Sequence, residues 1–89
     1  MISDRARRSI LLKTAAKAVG RARAAWREAQ GSTDEAVLRA AYRACATASR
    51  ALTIASSVWE PGAQARKLAD QVKRLDAAAA EFLARLAAA

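Results

Sequence analysis

The chain contains no histidine and only one cysteine, Cys45, among its 89 residues. A single cysteine excludes an intrachain disulfide, and the lack of histidine excludes a histidine-containing metal site or an ordinary Cys–His nucleophile pair. We therefore expect Cys45 to be a small core residue and not a reactive thiol. The sequence also has no glycine-rich phosphate loop and no carboxylate pair at a catalytic spacing, so it predicts a protein that is not an enzyme and takes no cofactor or metal.

Long hydrophobic runs are also missing. The longest charge-free run that leans hydrophobic, residues 51–59, is far shorter than the roughly 20 residues that a helix needs to cross a bilayer. We therefore expect no membrane span. Residues 1–25 are rich in arginine and poor in acids, as in an organellar transit segment, but they also continue a helix with a usable core stripe, which is the interpretation we favour.

Proline and glycine are scarce, with one proline and three glycines in the whole chain. Because alanine dominates every segment, local propensity predicts helix nearly throughout. The first interruption is Gly31, which is suited to ending a helix, followed by Ser32 or Thr33 as the N-cap of the next. Glu35 stands three residues after Ser32, as in a capping box. The second interruption is the Glu-Pro-Gly at residues 60–62, where proline favours a turn because it costs a helix interior about 3 kcal/mol.

These two short connections make consecutive helices antiparallel neighbours. The sequence thus predicts an all-α fold, an up-down-up three-helix bundle forming a single domain over residues 1–89, with helices at about 4–30, 33–59 and 62–87. Apolar residues at spacings of three, four and seven predict the core stripes of these helices. The members are Leu12, Val19 and Trp26 with Ala15, Ala22 and Ala29 between them in the first helix, Leu38, Tyr42, Cys45, Leu52 and Trp59 in the second, and Leu68, Val72, Leu75, Ala79, Phe82 and Leu86 in the third.

Acidic residues are half as frequent as basic ones, which gives 16 Lys and Arg against 8 Asp and Glu and a net charge of +8. Residues 1–27 alone carry eight basic residues and one acidic residue. Such a charge attracts polyanions, although it says nothing about the fold, and a solvated face that keeps the bundle soluble is the alternative. We predict phosphate contacts from the first and third helices, made by Arg5, Arg7, Arg8, Lys13, Lys17, Arg21, Arg66, Lys67, Lys73 and Arg74.

Two segments resemble a known family in the same order along the chain. Residues 58–75, which begin VWEPGAQARK, resemble the carboxy-terminal signature V-I-H-x-N-x-A-A-R-x-K-S-x-L-x-x-R-L of bacterial-type small-subunit ribosomal protein number twenty. Residues 12–19, LKTAAKAV, look like the L-K/R-T-x-x-K-x-V segment in that family's first helix. The chain departs from the signature at residues 60–62, at Ala69 and at Gln71, so the resemblance implies a divergent member, bacterial or organellar.

This resemblance implies a structural role in the small ribosomal subunit, in the bacterial cytoplasm or in a mitochondrion or plastid. The implied partners are ribosomal RNA and neighbouring ribosomal proteins, with no small-molecule substrate. Binding would neutralise phosphates and release counterions, reading RNA shape and backbone. Arg66 and Lys67 would gain from a helix amino terminus, whose free N–H groups favour a phosphate. Trp59 is expected to cap the core, with stacking on a base as the alternative.

The residues alone leave two other classes of function open. A protein-interaction module, natural or designed, would use the same helical core and carry its charge only for solubility. A membrane-surface protein would lay its basic, amphipathic first helix on anionic lipid.

Overall fold

The computed structural model describes residues 3–57 and 62–88 and contains three helices. These are α1 (Asp4–Ala29), α2 (Glu35–Ser56) and α3 (Ala63–Ala88). Helix α2 packs against both of the others, and there is no strand within the described residues. The prediction of an all-α three-helix bundle is confirmed. The predicted end of the second helix at residue 59 and most of the predicted turn at 60–62 lie outside the described residues.

The connection between α1 and α2 is a turn that begins at a left-handed glycine. Gly31 has a φ of 72°, a conformation that other residues rarely adopt, so the prediction that it ends the first helix is confirmed. The N-cap of α2 is Asp34, whose carboxylate accepts a hydrogen bond from the Ala36 amide at 2.9 Å. Predictions of Ser32 or Thr33 as N-cap, and of a capping box, are therefore wrong. The Ser32 hydroxyl instead accepts from the Asp34 amide at 3.1 Å and stabilises the turn before the helix.

Helices α1 and α2 meet along two rows of alanines. Ala15, Ala22 and Ala29 repeat every seven residues on α1 and are at most 1% exposed, and Ala41, Ala48 and Ala55 repeat in the same way on α2 with no exposed surface. The antiparallel pairing puts Ala15 in one core cluster with Ala55, and Ala22 and Ala29 in the other with Ala41 and Ala48. Such small side chains let the two backbones approach closely.

Larger side chains fill the contact between α2 and α3. Leu38 of α2 lies in the same cluster as Phe82 of α3, and Leu52 of α2 lies in the same cluster as Leu68 of α3. Each of these four residues is at most 5% exposed. Because each large buried side chain removes far more apolar area from water than an alanine does, this contact contributes most of the hydrophobic stabilisation.

Helices α1 and α3 share the core clusters but pack less closely than the other two helix pairs. Within the described residues, their Cα atoms stay more than 8 Å apart. The predicted core stripe of the first helix is confirmed for Ala15, Ala22 and Ala29, which are buried. It is wrong for Trp26, which is 43% exposed, and Leu12 and Val19 are only half-buried. On α3, the polar residues Gln64 and Gln71 line the same cavity as Leu12 and Val19, so the apolar cover of the stripe is incomplete there.

Candidate nucleic-acid interface

The open seam between α1 and α3 forms a groove along one side of the molecule. We call it the α1–α3 groove and define it by the residues that line it, which are Leu12, Ala15, Ala16, Val19, Gly20, Ala22, Arg23, Trp26 and Arg27 of α1 and Gln64, Lys67, Leu68, Gln71, Arg74, Leu75 and Ala78 of α3, with Leu52 and Cys45 of α2 as its floor. Three adjoining cavities of about 380, 130 and 210 Å³ follow it from Leu12 to Trp26. Arg23 lines all three, so they are direct neighbours. The floor is apolar, with Leu52 at one end and Cys45 at the other.

Basic side chains from both helices border this groove. Arg23 and Arg27 come from α1, Lys67 and Arg74 come from α3, and all four are exposed. Among the described residues, no aspartate or glutamate lines any of the three cavities. The groove therefore has a positive potential along its length, with low-dielectric walls that strengthen the field inside it.

Three acidic residues of the described segments are engaged away from the groove, whereas Asp70, exposed on α3, stands three residues after Lys67 and four before Arg74 and weakens the field of these two cations. Asp76 of α3 accepts a hydrogen bond from Ser49 and lines a separate cavity between α2 and α3. Glu81 pairs with Arg85 at 2.8 Å on α3, and Glu35 pairs with Arg39 on α2. These contacts use none of the four basic side chains that border the groove, so they leave its charge in place.

The structure brings only part of the predicted binding set to the groove. Lys67 and Arg74 line it. Lys13, Lys17 and Arg21 are exposed on α1 but do not line it, and successive residues turn by about 100°, which puts Lys17 nearly opposite the buried Ala15.

The remaining predicted residues lie at the ends of the basic surface or on its outer side. Arg66 borders a separate shallow cavity beside Gly62, and Lys73 is exposed seven residues further along the same side of α3. Arg5, Arg7 and Arg8 are exposed in the first two turns of α1. Of the ten predicted residues, two thus line the groove, and the other eight lie outside its lining.

Sequence reasoning missed Arg23, Arg27 and Trp26 as members of the site. A signal for them was present on α3, where Gln64, Lys67, Gln71 and Arg74 follow one another at steps of three and four. Such a polar row beside the apolar stripe of a helix indicates a face that stays open to solvent. The α1 residues opposite that row were therefore candidates for a groove and not for the core.

Cys45 lies beneath the groove, beside Trp26. It is 1% exposed, which confirms the prediction that it is a core residue. Burial raises the pKa of the Cys45 thiol, because the low-dielectric core disfavours the thiolate. The thiol at this position is therefore protonated at neutral pH and is a poor nucleophile.

Neither a metal cluster nor a membrane span is found in the parts of the chain that the structure describes. Over residues 3–57 and 62–88, cysteine, aspartate and glutamate side chains do not gather in groups of three or more that could hold a metal ion. None of the described helices combines the length and the apolar character needed to cross a membrane.

Comparisons of the chain with protein-family models, with curated proteins and with solved structures give no match. The likeness to ribosomal protein number twenty therefore remains a prediction that depends on residues 12–19 and 58–75.

Proposed function

We propose that the chain is a non-enzymatic RNA-binding protein of the small ribosomal subunit that holds ribosomal RNA phosphates along the α1–α3 groove. One observation carries this proposal. Arg23 and Arg27 of α1 and Lys67 and Arg74 of α3 border the same groove, and among the described residues no carboxylate lines it. Two parallel helices thereby offer cations on both sides of a bound phosphate backbone.

The chemistry of these side chains suits phosphate. Three of the four are arginines, whose planar guanidinium donates two parallel hydrogen bonds to a phosphate. Gln64 and Gln71 add neutral donors and acceptors beside them, which can bond to ribose hydroxyls or to phosphate oxygens. Binding of this kind reads the shape and backbone of RNA and releases counterions.

The start of α3 adds a favourable field. Arg66 and Lys67 lie in the first turns of this helix, which begins at Ala63. The free amide groups and the helix dipole at an amino terminus attract anions, so phosphate bound by these two side chains is stabilised from both sources. Lys13, Lys17 and the arginines at the start of α1 extend the attraction beyond the groove.

A non-catalytic role is supported by the chemistry of the groove itself. Its only thiol, that of Cys45, is buried with a raised pKa, and the lining side chains offer cations, amides and apolar groups. These groups bind anions but supply neither a general base nor an activated nucleophile.

The same groove favours a second candidate, a protein-interaction module. Half-buried Leu12 and Val19, together with Leu75, give it an apolar strip of the kind that accepts one face of an amphipathic helix. Its basic borders would select a helix whose flanks are acidic. An RNA-binding measurement separates the two candidates, because a helix-binding groove needs no affinity for RNA.

Two variants with the same loss of charge test the proposal. The groove variant carries Arg23→Gln, Lys67→Gln and Arg74→Gln, and the control carries Arg39→Gln, Arg43→Gln and Arg50→Gln on α2. In filter binding to structured small-subunit ribosomal RNA, we expect the groove variant to lose affinity by about tenfold or more at about 100 mM salt. The control should lose much less, because its arginines are exposed on another helix. Equal losses, or no binding by the unmodified chain, would contradict the proposal.

The ribosomal part of the proposal needs a separate measurement. The unmodified chain should co-sediment with small ribosomal subunits from a cell lysate, and the groove variant should leave that fraction. Binding to RNA without such co-sedimentation would retain the RNA-binding role and remove the ribosomal one.

A further inference from the structure

We propose that Trp26 forms a stacking site for one unpaired nucleobase at the end of the α1–α3 groove, an inference that rests on the RNA-binding function proposed above. Trp26 is 43% exposed even though it belongs to an apolar stripe of α1. Its ring borders the cavity of about 210 Å³ at this end of the groove. A large flat side chain that remains exposed beside a cavity is available to a flat ligand.

The surroundings of Trp26 fit both halves of a nucleotide. Ala22 and Ala78 border the same cavity, and their short side chains leave space beside the indole. Arg23 and Arg27 border it as well, so two cationic side chains line the same cavity as the ring. The apolar part of the cavity suits a base, and the arginines suit the phosphate attached to it.

Other exposed apolar side chains lack this combination. Ile10, Ile54 and Leu83 are each more than half exposed, but none of them borders the groove. Single exposed aliphatic residues are ordinary on protein surfaces and need no ligand to explain them. Trp26 differs because a cavity, two cations and an aromatic face occur together at one place.

The inferred ligand is an unpaired base, because bases within a duplex already stack on each other and hide their faces. Proteins that stack aromatic side chains on RNA accordingly bind loops, bulges and single strands. Among the described residues, no aromatic side chain lines the other two cavities of the groove. In the proposed complex, phosphates bind along the whole groove and the unpaired base stacks at its Trp26 end.

The test uses the full chain with Trp59→Phe, in which Trp26 is the only tryptophan, and two RNAs of equal length. One RNA is a fully paired duplex, and the other carries an unpaired purine bulge. We expect the bulged RNA to quench Trp26 fluorescence with saturation and the duplex to leave it nearly unchanged. In the same background, Trp26→Leu should weaken binding of the bulged RNA by about 10- to 100-fold and leave duplex binding within about twofold.

Two further variants make the outcome decisive. Trp26→Phe keeps an aromatic face and should bind the bulged RNA much more tightly than Trp26→Leu does. Ile54→Ala, a control at another exposed apolar site, should leave the affinities for the bulged RNA and for the duplex unchanged. Circular dichroism shows whether each variant is folded, and if Trp26→Leu does not fold, the selective quenching of Trp26 by the bulged RNA decides the proposal.

Each remaining result separates the two proposals. If the duplex and the bulged RNA bind equally and Trp26→Leu weakens neither, the stacking site is refuted while RNA binding stands. An equal loss for both RNAs also refutes it, because the ring then serves the groove as a whole. If the unmodified chain binds neither RNA, the proposed function fails and the stacking site fails with it.

Discussion

Ser49 of α2 donates its hydroxyl hydrogen to Oδ1 of Asp76 of α3 over 2.5 Å. The serine is 7% exposed and the aspartate is exposed, so the bond lies at the edge of the contact between the two helices. It holds the Asp76 carboxylate on the α2 side of α3, where it lines a cavity with Tyr42 and Leu83. One of the three acids of α3 is thereby kept away from the basic groove.

Replacing Ser49 with alanine tests this bond. Hydrogen bonds to charged groups contribute about 1.5–3 kcal/mol, and solvent around the exposed carboxylate reduces that value, so we expect Ser49→Ala to lower the free energy of unfolding by about 1 kcal/mol. Urea unfolding followed by circular dichroism measures the difference. Thr47→Ala, at an exposed position of the same helix, is the matched control and should change stability by less than about 0.5 kcal/mol. Equal effects of the two substitutions would mean that the bond contributes nothing to stability.

The glycines of the chain should respond to alanine in opposite directions. Gly20 lies inside α1, and an added Cβ would meet no other heavy atom within 4 Å, so Gly20→Ala should raise stability by about 0.5–1 kcal/mol. Gly31 has a φ of 72°, and Gly31→Ala should lower stability by about 1 kcal/mol. Thermal melts of the two variants in one buffer provide the comparison. A loss of stability from Gly20→Ala would contradict the open surroundings of that site.

The alanine contact between α1 and α2 should tolerate no larger side chain. Ala29 has no exposed surface and lines none of the cavities of the groove, and Ala29→Leu would force the two helices apart, at a loss of about 1–3 kcal/mol. Ala24→Leu makes the same substitution at an exposed position of α1 and should be nearly neutral. If the two variants unfold at the same urea concentration, the close alanine packing is not what holds α1 on α2.

Cys45 should react only when the chain unfolds. Because burial raises the pKa of its thiol, little thiolate forms near pH 8, and alkylation by iodoacetamide should be slow until denaturant opens the core. The folded state also binds the thiol proton more tightly than the unfolded state does. Stability from this residue is therefore complete below the ordinary thiol pKa of 9.0 and falls as the pH rises above it. Fast alkylation of the native chain at pH 8 would contradict the burial.

Most of the fold follows from the sequence because few residues interrupt the helices and each of them acts on the backbone at its own position. Gly31 ends α1 because its positive φ favours glycine, which the residue type itself indicates. In the predicted row of α3, Leu68, Ala79 and Phe82 are buried, and Val72, Leu75 and Leu86 are half-buried. The N-cap at Asp34 was not predicted, because serine, threonine and aspartate cap helices about equally well. Only the geometry of the turn selects among them.

The groove could not be located from α1 alone. The row of Leu12, Val19 and Trp26 and the row of Ala15, Ala22 and Ala29 share the same period of seven, and hydrophobicity favours the larger residues as the core. The structure buries the alanines, because α2 meets α1 through alanines of its own. Which basic residues border the groove depends on how α1 is rotated about its own axis against α2. The sequence of a single helix does not specify that rotation.

The salt dependence of RNA affinity tests the central claim most directly, because each phosphate held by a cation contributes to the slope of log K against log salt. The unmodified chain and the variant with Arg23→Gln, Lys67→Gln and Arg74→Gln are titrated with structured small-subunit ribosomal RNA between about 50 and 200 mM salt. Binding in the α1–α3 groove predicts that the slope of the variant is shallower by about 2 to 3, while the α2 control with Arg39→Gln, Arg43→Gln and Arg50→Gln keeps its slope. Equal slopes for all three chains would contradict phosphate binding in the groove.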